Sequence, residues 1–253
     1  MAENSGIEWT THTFNPWIGC TKISPACDHC YAEAWDARGL QGGATRWGPH
    51  ASRTRTKTWG NPVKWNREAE GAASRPRVFC ASLADVGDNH SSILPQWRDD
   101  LWALIRATPN LDWLLLTKRP QNLAKYLPGD WGNGYPNVWI GCTAENQAEY
   151  DRRKAHLVTI PAVVRFLSME PLLGRVDLGD LSAIHWIITG GESGRAFRHA
   201  DPDWFRFLRD QCAEAGVPFL FKQWEGANQK AIKALGRQLD GVIHDGYPLG
   251  IKA

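Results

Sequence analysis

From about residue 77 the chain repeats one rhythm: a short apolar run rich in β-branched and aromatic residues, a polar or glycine-bearing end, then a helical stretch. The runs are Val78-Phe79-Cys80-Ala81, Trp113-Leu114-Leu115-Leu116, Val138-Trp139-Ile140, Val163-Val164-Arg165-Phe166-Leu167, His185-Trp186-Ile187-Ile188 and Phe219-Leu220-Phe221. Near-continuous apolar runs suit strands buried on both faces, as in a parallel sheet, and their spacing leaves room for crossover helices. Two helices are legible directly. Pro95 to about Ala107 puts Trp97, Leu101, Leu104 and Ile105 on one face. Asp201-Pro202 opens another, with Trp204, Phe205, Leu208 and Cys212 on its face and Gly216 after its end. A first strand before Cys20 brings the total to about seven βα units. The fold class is therefore α/β, a (β/α) barrel, complete or partial and TIM-like, in preference to an open doubly wound sheet.

Residues 1–253 read as a single barrel domain with a basic insertion at 38–77 and a small C-terminal appendage at 225–253, where Leu239-Asp240-Gly241-Val242 has the look of a tight hairpin turn. With 43% hydrophobic and 22% charged residues the chain can bury a full core and is not a disordered tail. No run approaches the roughly 18 apolar residues of a membrane span, and the first twenty residues lack a basic and apolar leader pattern, so the reading is a cytoplasmic protein.

The insertion breaks the rhythm. It carries Arg38, Arg46, Arg53, Arg55, Lys57, Lys64, Arg67, Arg75 and Arg77 against only Glu68 and Glu70, although the whole chain has a formal charge of just +2. Trp47, Trp59 and Trp65 are interleaved with these cations, the composition expected where phosphates are neutralised and bases stacked. The segment is therefore a candidate contact for a nucleotide or nucleic acid; the alternative is a solvated loop whose tryptophans pack back on the barrel.

Three of the six cysteines are crowded into Cys20-x6-Cys27-x2-Cys30. Three thiolates from one loop can hold three corners of an iron–sulfur cubane, leaving one iron open to a small molecule. Structural zinc is the alternative, needing a fourth ligand such as His12 or His29. Three unrelated buried thiols are the third reading. The loop follows the first candidate strand, and in βα barrels chemistry collects on loops at the C-terminal strand ends. The other strand ends extend the candidate rim: Ser82 and Asp85, Thr117-Lys118-Arg119, Thr143 and Glu145, Ser168 and Glu170, Thr189-Gly190-Gly191-Glu192-Ser193-Gly194, and Lys222-Gln223-Trp224.

Asn15-Pro16-Trp17 before the cysteines, Leu115-Leu116-Thr117-Lys118-Arg119-Pro120, Leu167-Ser168-Met169-Glu170-Pro171-Leu172-Leu173-Gly174, Gly190-Gly191-Glu192-Ser193-Gly194 and Phe221-Lys222-Gln223-Trp224 together carry a resemblance over nearly the whole chain. The sequence resembles a phage-type three-cysteine-motif family of unknown function, itself distantly similar to radical S-adenosylmethionine (radical SAM) enzymes. That resemblance implies a radical-SAM-like barrel with a 4Fe-4S cluster on Cys20, Cys27 and Cys30. It further implies S-adenosylmethionine on the open iron, an external one-electron donor, and a 5′-deoxyadenosyl radical that abstracts hydrogen from a nucleotide or nucleic-acid substrate. The pattern departs from the usual Cys-x3-Cys-x2-Cys, and its Gly-Gly-Glu element follows a late strand instead of the second.

Within that expectation Glu192, on the turn of Gly190 and Gly191, is the candidate for the methionine amino group, or else a turn acid capping the next helix. Lys118 and Arg119 are candidates to pair a carboxylate or phosphate, or to divide into one functional cation and one salt bridge. Glu170, held extended by Pro171, is a candidate catalytic group at the barrel mouth, with Ser168, Asp85, Lys222 and Gln223 beside it. Cys142 is a candidate hydrogen-atom donor or a plain buried thiol, while Cys80 and Cys212 read as packing. Trp17 and Trp224 are candidate walls for a cofactor or base.

Overall fold

The structure, a computed structural model, describes residues 3–39 and 45–248; residues 40–44 of the basic insertion and 249–253 of the C-terminal appendage lie outside the described residues. The chain runs β1 (His12–Phe14), β2 (Trp17–Ile18), a 3-10 turn at Pro25–Cys27, α1 (Tyr31–Gly39), β3 (Thr54–Arg55), α2 (Asn61–Glu68) and β4 (Arg77–Cys80). It continues through α3 (Pro95–Arg106), β5 (Asp112–Thr117), α4 (Pro120–Leu123), β6 (Val138–Thr143), α5 (Gln147–Leu157) and β7 (Val164–Met169). The last elements are β8 (Trp186–Gly190), α6 (Pro202–Ala215), β9 (Phe219–Gln223), α7 (Gln229–Leu235), β10 (Gln238–Leu239) and β11 (Val242–Ile243).

Seven strands form one parallel sheet in the order β1-β4-β5-β6-β7-β8-β9. The sheet curls into a partial barrel, because β1 pairs only with β4 and β9 only with β8, so the two edges do not join. Side chains from the N- and C-terminal segments lie across the barrel interior instead. Trp9 packs inside the sheet with Phe79, Leu114, Trp139, Phe166, Trp186 and Leu220, Tyr247 packs against that cluster, and the Tyr247 hydroxyl donates to the Glu8 carbonyl at 2.9 Å.

Period-two alternation sorts each strand. Phe79, Leu114, Trp139, Phe166, Trp186 and Leu220 point inward, whereas Val78, Leu115, Ile140, Leu167, Ile187 and Phe221 point outward under Leu101, Ile105, Phe205 and Leu208 of α3 and α6. Gly141 belongs to the inward series, and a Cβ there would meet the Phe166 ring at 2.4–2.5 Å; the missing side chain is what lets that ring lie across β6. The helices start and stop as their sequences dictate. Pro95 and Pro202 occupy first turns, the Asp201 side chain accepts from the Asp203 N–H at 2.9 Å, and Gly216 closes α6 at φ +66°. The expected hairpin is β10–β11, with Asp240 and Gly241 at φ +55° and +78°, the left-handed pair that such a turn requires.

The basic segment is not an interruption of the rhythm but its first crossover. Its helix α2 and the ribbon β2–β3 connect β1 to β4, and its tryptophans cover the outside of β1: Trp65 stacks on His12 at 4.3 Å between ring centroids and Trp59 meets Phe14 edge-on at 5.4 Å. Trp47 is buried against Ala32 and Leu83. The base-stacking expectation for these three rings is therefore corrected: the outer face of the edge strand and the cysteine loop need apolar cover, and the indoles supply it. The cations are largely paired as well. Arg53 is buried on Asp88 at 2.8 Å and on four further acceptors, Arg55 reaches Asp100 at 2.5 Å and lies over Trp59, and Lys64 pairs with Glu3 at 3.0 Å.

Replacing Gly141 by Ala should destabilise the protein by about 1–3 kcal/mol through overpacking against Phe166, read as a lower urea midpoint with an unchanged slope. Gly6→Ala, where nothing lies within 4 Å, should change stability by less than about 0.5 kcal/mol.

Candidate functional site

Above the ring-filled interior the inward series turns polar. Continuing each strand's alternation past Leu116, Gly141, Phe166 and Leu220 places Lys118, Thr143, Ser168 and then Glu170, and Lys222 around a cavity of about 600 Å³ at the C-terminal end of the sheet. Trp9, Phe79 and Leu116 form its floor, and the cysteine loop and α1 roof one side. Between Thr189 and Gly190 the β8–β9 register shifts, and the adjacent residues Lys222 and Gln223 at this slip both reach the lining. Most rim residues expected from the strand ends are thus brought together; Glu145, Thr189, Gly190, Gly194 and Trp224 lie outside the cavity lining.

Several of the expected residues are committed to holding the rim in shape. Asp85 accepts from Thr117 Oγ1 at 2.5 Å, the Gly87 and Lys118 N–H groups at 2.8 and 3.0 Å, and Arg119 Nη1 at 2.9 Å. Burial opposes its ionisation, but Arg119 and these donors outweigh that and hold its pKa below the ordinary carboxylate value. Arg119 also donates to the Thr21 carbonyl at 2.6 Å, so of the Lys118-Arg119 pair only the lysine is free to meet a ligand. Glu145 is fully buried on Arg153 at 2.7 Å and accepts from the Ala26 N–H at 3.1 Å, anchoring the 3-10 turn that leads into the second cysteine of the motif.

Glu192 is not available for an amino group of a cofactor. Arg198 takes both its oxygens (2.9 and 2.5 Å), His29 Nδ1 lies 3.2 Å away, and the same guanidinium reaches Asp28 at 3.2 Å and the Pro25 carbonyl at 2.9 Å. The result is a latch between the cysteine loop and the Gly-Gly-Glu turn. Burial again disfavours the charge, yet the Arg198 and His29 contacts lower the Glu192 pKa. Gly190 and Gly191 serve close packing: a Cβ on Gly191 would come within 2.2 Å of the Glu225 nitrogen, and one on Gly190 within 3.0 Å of Glu170 Oε1. Arg198 was not legible as a site residue, its one signal being its place six residues after the Gly-Gly-Glu acid.

Among the described residues no group of three or more His, Cys, Asp or Glu side chains is arranged to hold a metal ion. The expected 4Fe-4S cluster on Cys20, Cys27 and Cys30 is corrected accordingly, and with it the radical SAM enzyme, S-adenosylmethionine as its cofactor and the zinc alternative. The physical reason lies in what each thiol meets. Cys20 contacts Arg119 Nη1 at 3.5 Å, and burial, reinforced by Asp85, pushes its thiol up to about 12. Cys27 is buried with Ser24 Oγ at 3.9 Å, and Cys30 packs with Cys20 against Ala32, Trp47 and Leu83. Cys142 is corrected too: it faces the outer helical core, fully buried, with its thiol raised to about 12, and it does not line the cavity. Trp17 is buried beneath Arg98 and offers no wall, and Trp224 packs edge-on against Phe205 and Phe221.

Residues absent from the expected set complete the lining. Tyr31, Trp35 and Arg38 follow one another at i, i+4 and i+7 on α1, and Gln229 and Lys233 stand at i and i+4 on α7. For the α1 residues the signal in the sequence was helical spacing directly after the last cysteine. Residues 4–248 match the model of a family described as "Protein of unknown function (DUF5131)", and the chain belongs to that family. No curated protein and no solved structure matches it.

Removing the guanidinium in Arg119→Met should cost about 3–5 kcal/mol at pH 7 by stranding the buried Asp85 carboxylate, with a substantial part recovered in the double variant Arg119→Met, Asp85→Asn. In the parent protein the depressed Asp85 pKa contributes stability that is full above the ordinary carboxylate pKa of about 4 and is lost as pH falls through the folded value. In the single variant that contribution should vanish, so its urea midpoint should no longer carry this acid-side loss.

Proposed function

We propose that this member of the DUF5131 family binds a small anionic, ring-bearing molecule of nucleotide-like chemistry in the cavity at the C-terminal end of its partial barrel. The observation that carries the reading is the pair of inward cations: Lys118 has no ion-pair partner among the described residues, and Lys222 is held only by Glu170 at 3.3 Å. Two ammonium groups beside the Thr143 and Ser168 hydroxyls offer what a phosphate or carboxylate needs, charge and several donors on one side of a sheltered space. The floor of Trp9, Phe79 and Leu116 offers a planar or apolar moiety a dry surface. A volume of about 600 Å³ matches a molecule of mononucleotide size.

The acids of the lining fit this reading because three of them are already neutralised within the protein, Asp85 by Arg119, Glu192 by Arg198 and Glu170 by Lys222. An incoming anion therefore meets the field of Lys118 with little opposition. The Lys222–Glu170 pair supplies a second cation whose partner can stay in place while its remaining N–H groups turn to the ligand.

The test is calorimetric titration with the four 5′-monophosphate nucleotides, the matching nucleosides and inorganic phosphate. At least one nucleotide should bind ten-fold or more tightly than its nucleoside. Lys118→Ala and Lys222→Ala should each weaken that nucleotide roughly 10- to 100-fold, the loss of one charge-assisted hydrogen bond, while nucleoside affinity changes little. Equal affinity for nucleotide and nucleoside, or lysine variants that bind normally, would remove the proposal.

A further inference from the structure

We infer that the mouth of this cavity receives a single-stranded nucleic acid whose terminal nucleotide enters the cavity. The inference rests on the nucleotide reading above and adds a feature that reading does not use. Of the 14 tryptophans only Trp35 is exposed, at 44%, and of the five tyrosines only Tyr31, at 51%. Both stand on α1, four residues apart and hence on one face, and both line the cavity mouth. This chain buries or half-buries every other indole, so leaving these two rings in water at one place calls for an occupant with flat apolar faces.

The charges around the rings choose among such occupants. Arg38 lies one turn beyond Trp35 on the same face, and Lys233 looks in from α7; like Lys118 below them, neither has an ion-pair partner among the described residues. Among the lining acids only Glu8 lacks an ion pair in the same sense. Alternating π-faces and unpaired cations that lead away from an anion-binding pocket suit a polyanion with stackable bases. A single strand fits better than a duplex, because paired bases present only edges and the cavity holds no more than one nucleotide. Tyr31 is held in position, its hydroxyl donating to the Ser82 carbonyl at 2.7 Å, so its ring is set before a strand arrives.

Fluorescence anisotropy with a twelve-residue oligodeoxythymidylate, labelled in separate samples at its 5′ and 3′ ends, tests this beside titration of the mononucleotide. The strand should bind at least ten-fold more tightly than the mononucleotide and than the same sequence in a duplex, with an affinity that falls steeply with salt. Trp35→Ala should weaken the strand about ten-fold and the mononucleotide less than about three-fold, Trp35→Phe should restore most of the loss, and Arg38→Gln with Lys233→Gln should flatten the salt dependence. An oligouridylate run in parallel assigns the sugar. If the mononucleotide binds through Lys118 but the strand binds no more tightly, or Trp35→Ala leaves the strand unaffected, this inference falls and the cavity reading stands. If neither ligand binds, both fall.

Discussion

Inside the curled sheet, Trp9, Trp139, Phe166 and Trp186 meet at ring-centroid separations of 5.9–6.5 Å, and the level to which these rings fill the interior sets where a ligand can sit. Edge-on and tilted ring pairs each add about 0.5–1.5 kcal/mol beyond the area they bury. Their larger effect is geometric. The lower half of the barrel is solid, so the inward positions that follow along each strand are raised to a rim where lysine, threonine, serine and glutamate side chains face one another. The absent side chain of Gly141 is part of this arrangement, because Phe166 occupies its place.

The loop over the cavity is held by guanidinium groups that are themselves enclosed by protein. Arg53 and Arg119 both bind Thr21, the first at its hydroxyl and the second at its carbonyl, while Arg153 fixes the Glu145 that holds the Ala26 N–H. Each guanidinium has a carboxylate partner close by, which offsets the cost of taking its charge out of water. Arginine suits this task because its planar fork serves an acid and several carbonyls at once. The loop's shape is therefore imposed from distant parts of the chain more than by its own sequence.

That explains which features could be read from the residues. Runs such as Val138-Trp139-Ile140 and Val163 to Leu167 have no reading other than buried strands, and Asp201-Pro202 with Gly216 marks a helix at both ends; these signals are local, and the sheet follows them. The strand-end residues Lys118, Ser168, Glu170 and Lys222 came with the sheet, since alternation alone puts them inside. The cysteine spacing misled because ligation depends on how deeply each thiol is buried and on what faces it. For Cys20 burial is the larger influence, and the neighbours that add to or oppose it, Asp85 and Arg119, come from other strand ends far along the chain. The tryptophans of the basic segment misled for the same reason: composition registers that Trp65 lies among cations, but not that its ring lies flat on His12. The aromatic pair on α1 was within reach of helical periodicity and was hidden by the prominence of the cysteines beside it.

The register shift between β8 and β9 has an evolutionary corollary. Where a strand keeps strict alternation, a substitution alters one side chain and leaves its neighbours' directions alone. At a slip in pairing, direction depends also on the count of residues, and Lys222 and Gln223 of the lining both stand at that slip. Within the family this strand end should therefore tolerate a change of residue more readily than a change of length. A single deletion there would return the strand to phase and turn one of the two polar groups away from the cavity without altering any residue that lines it.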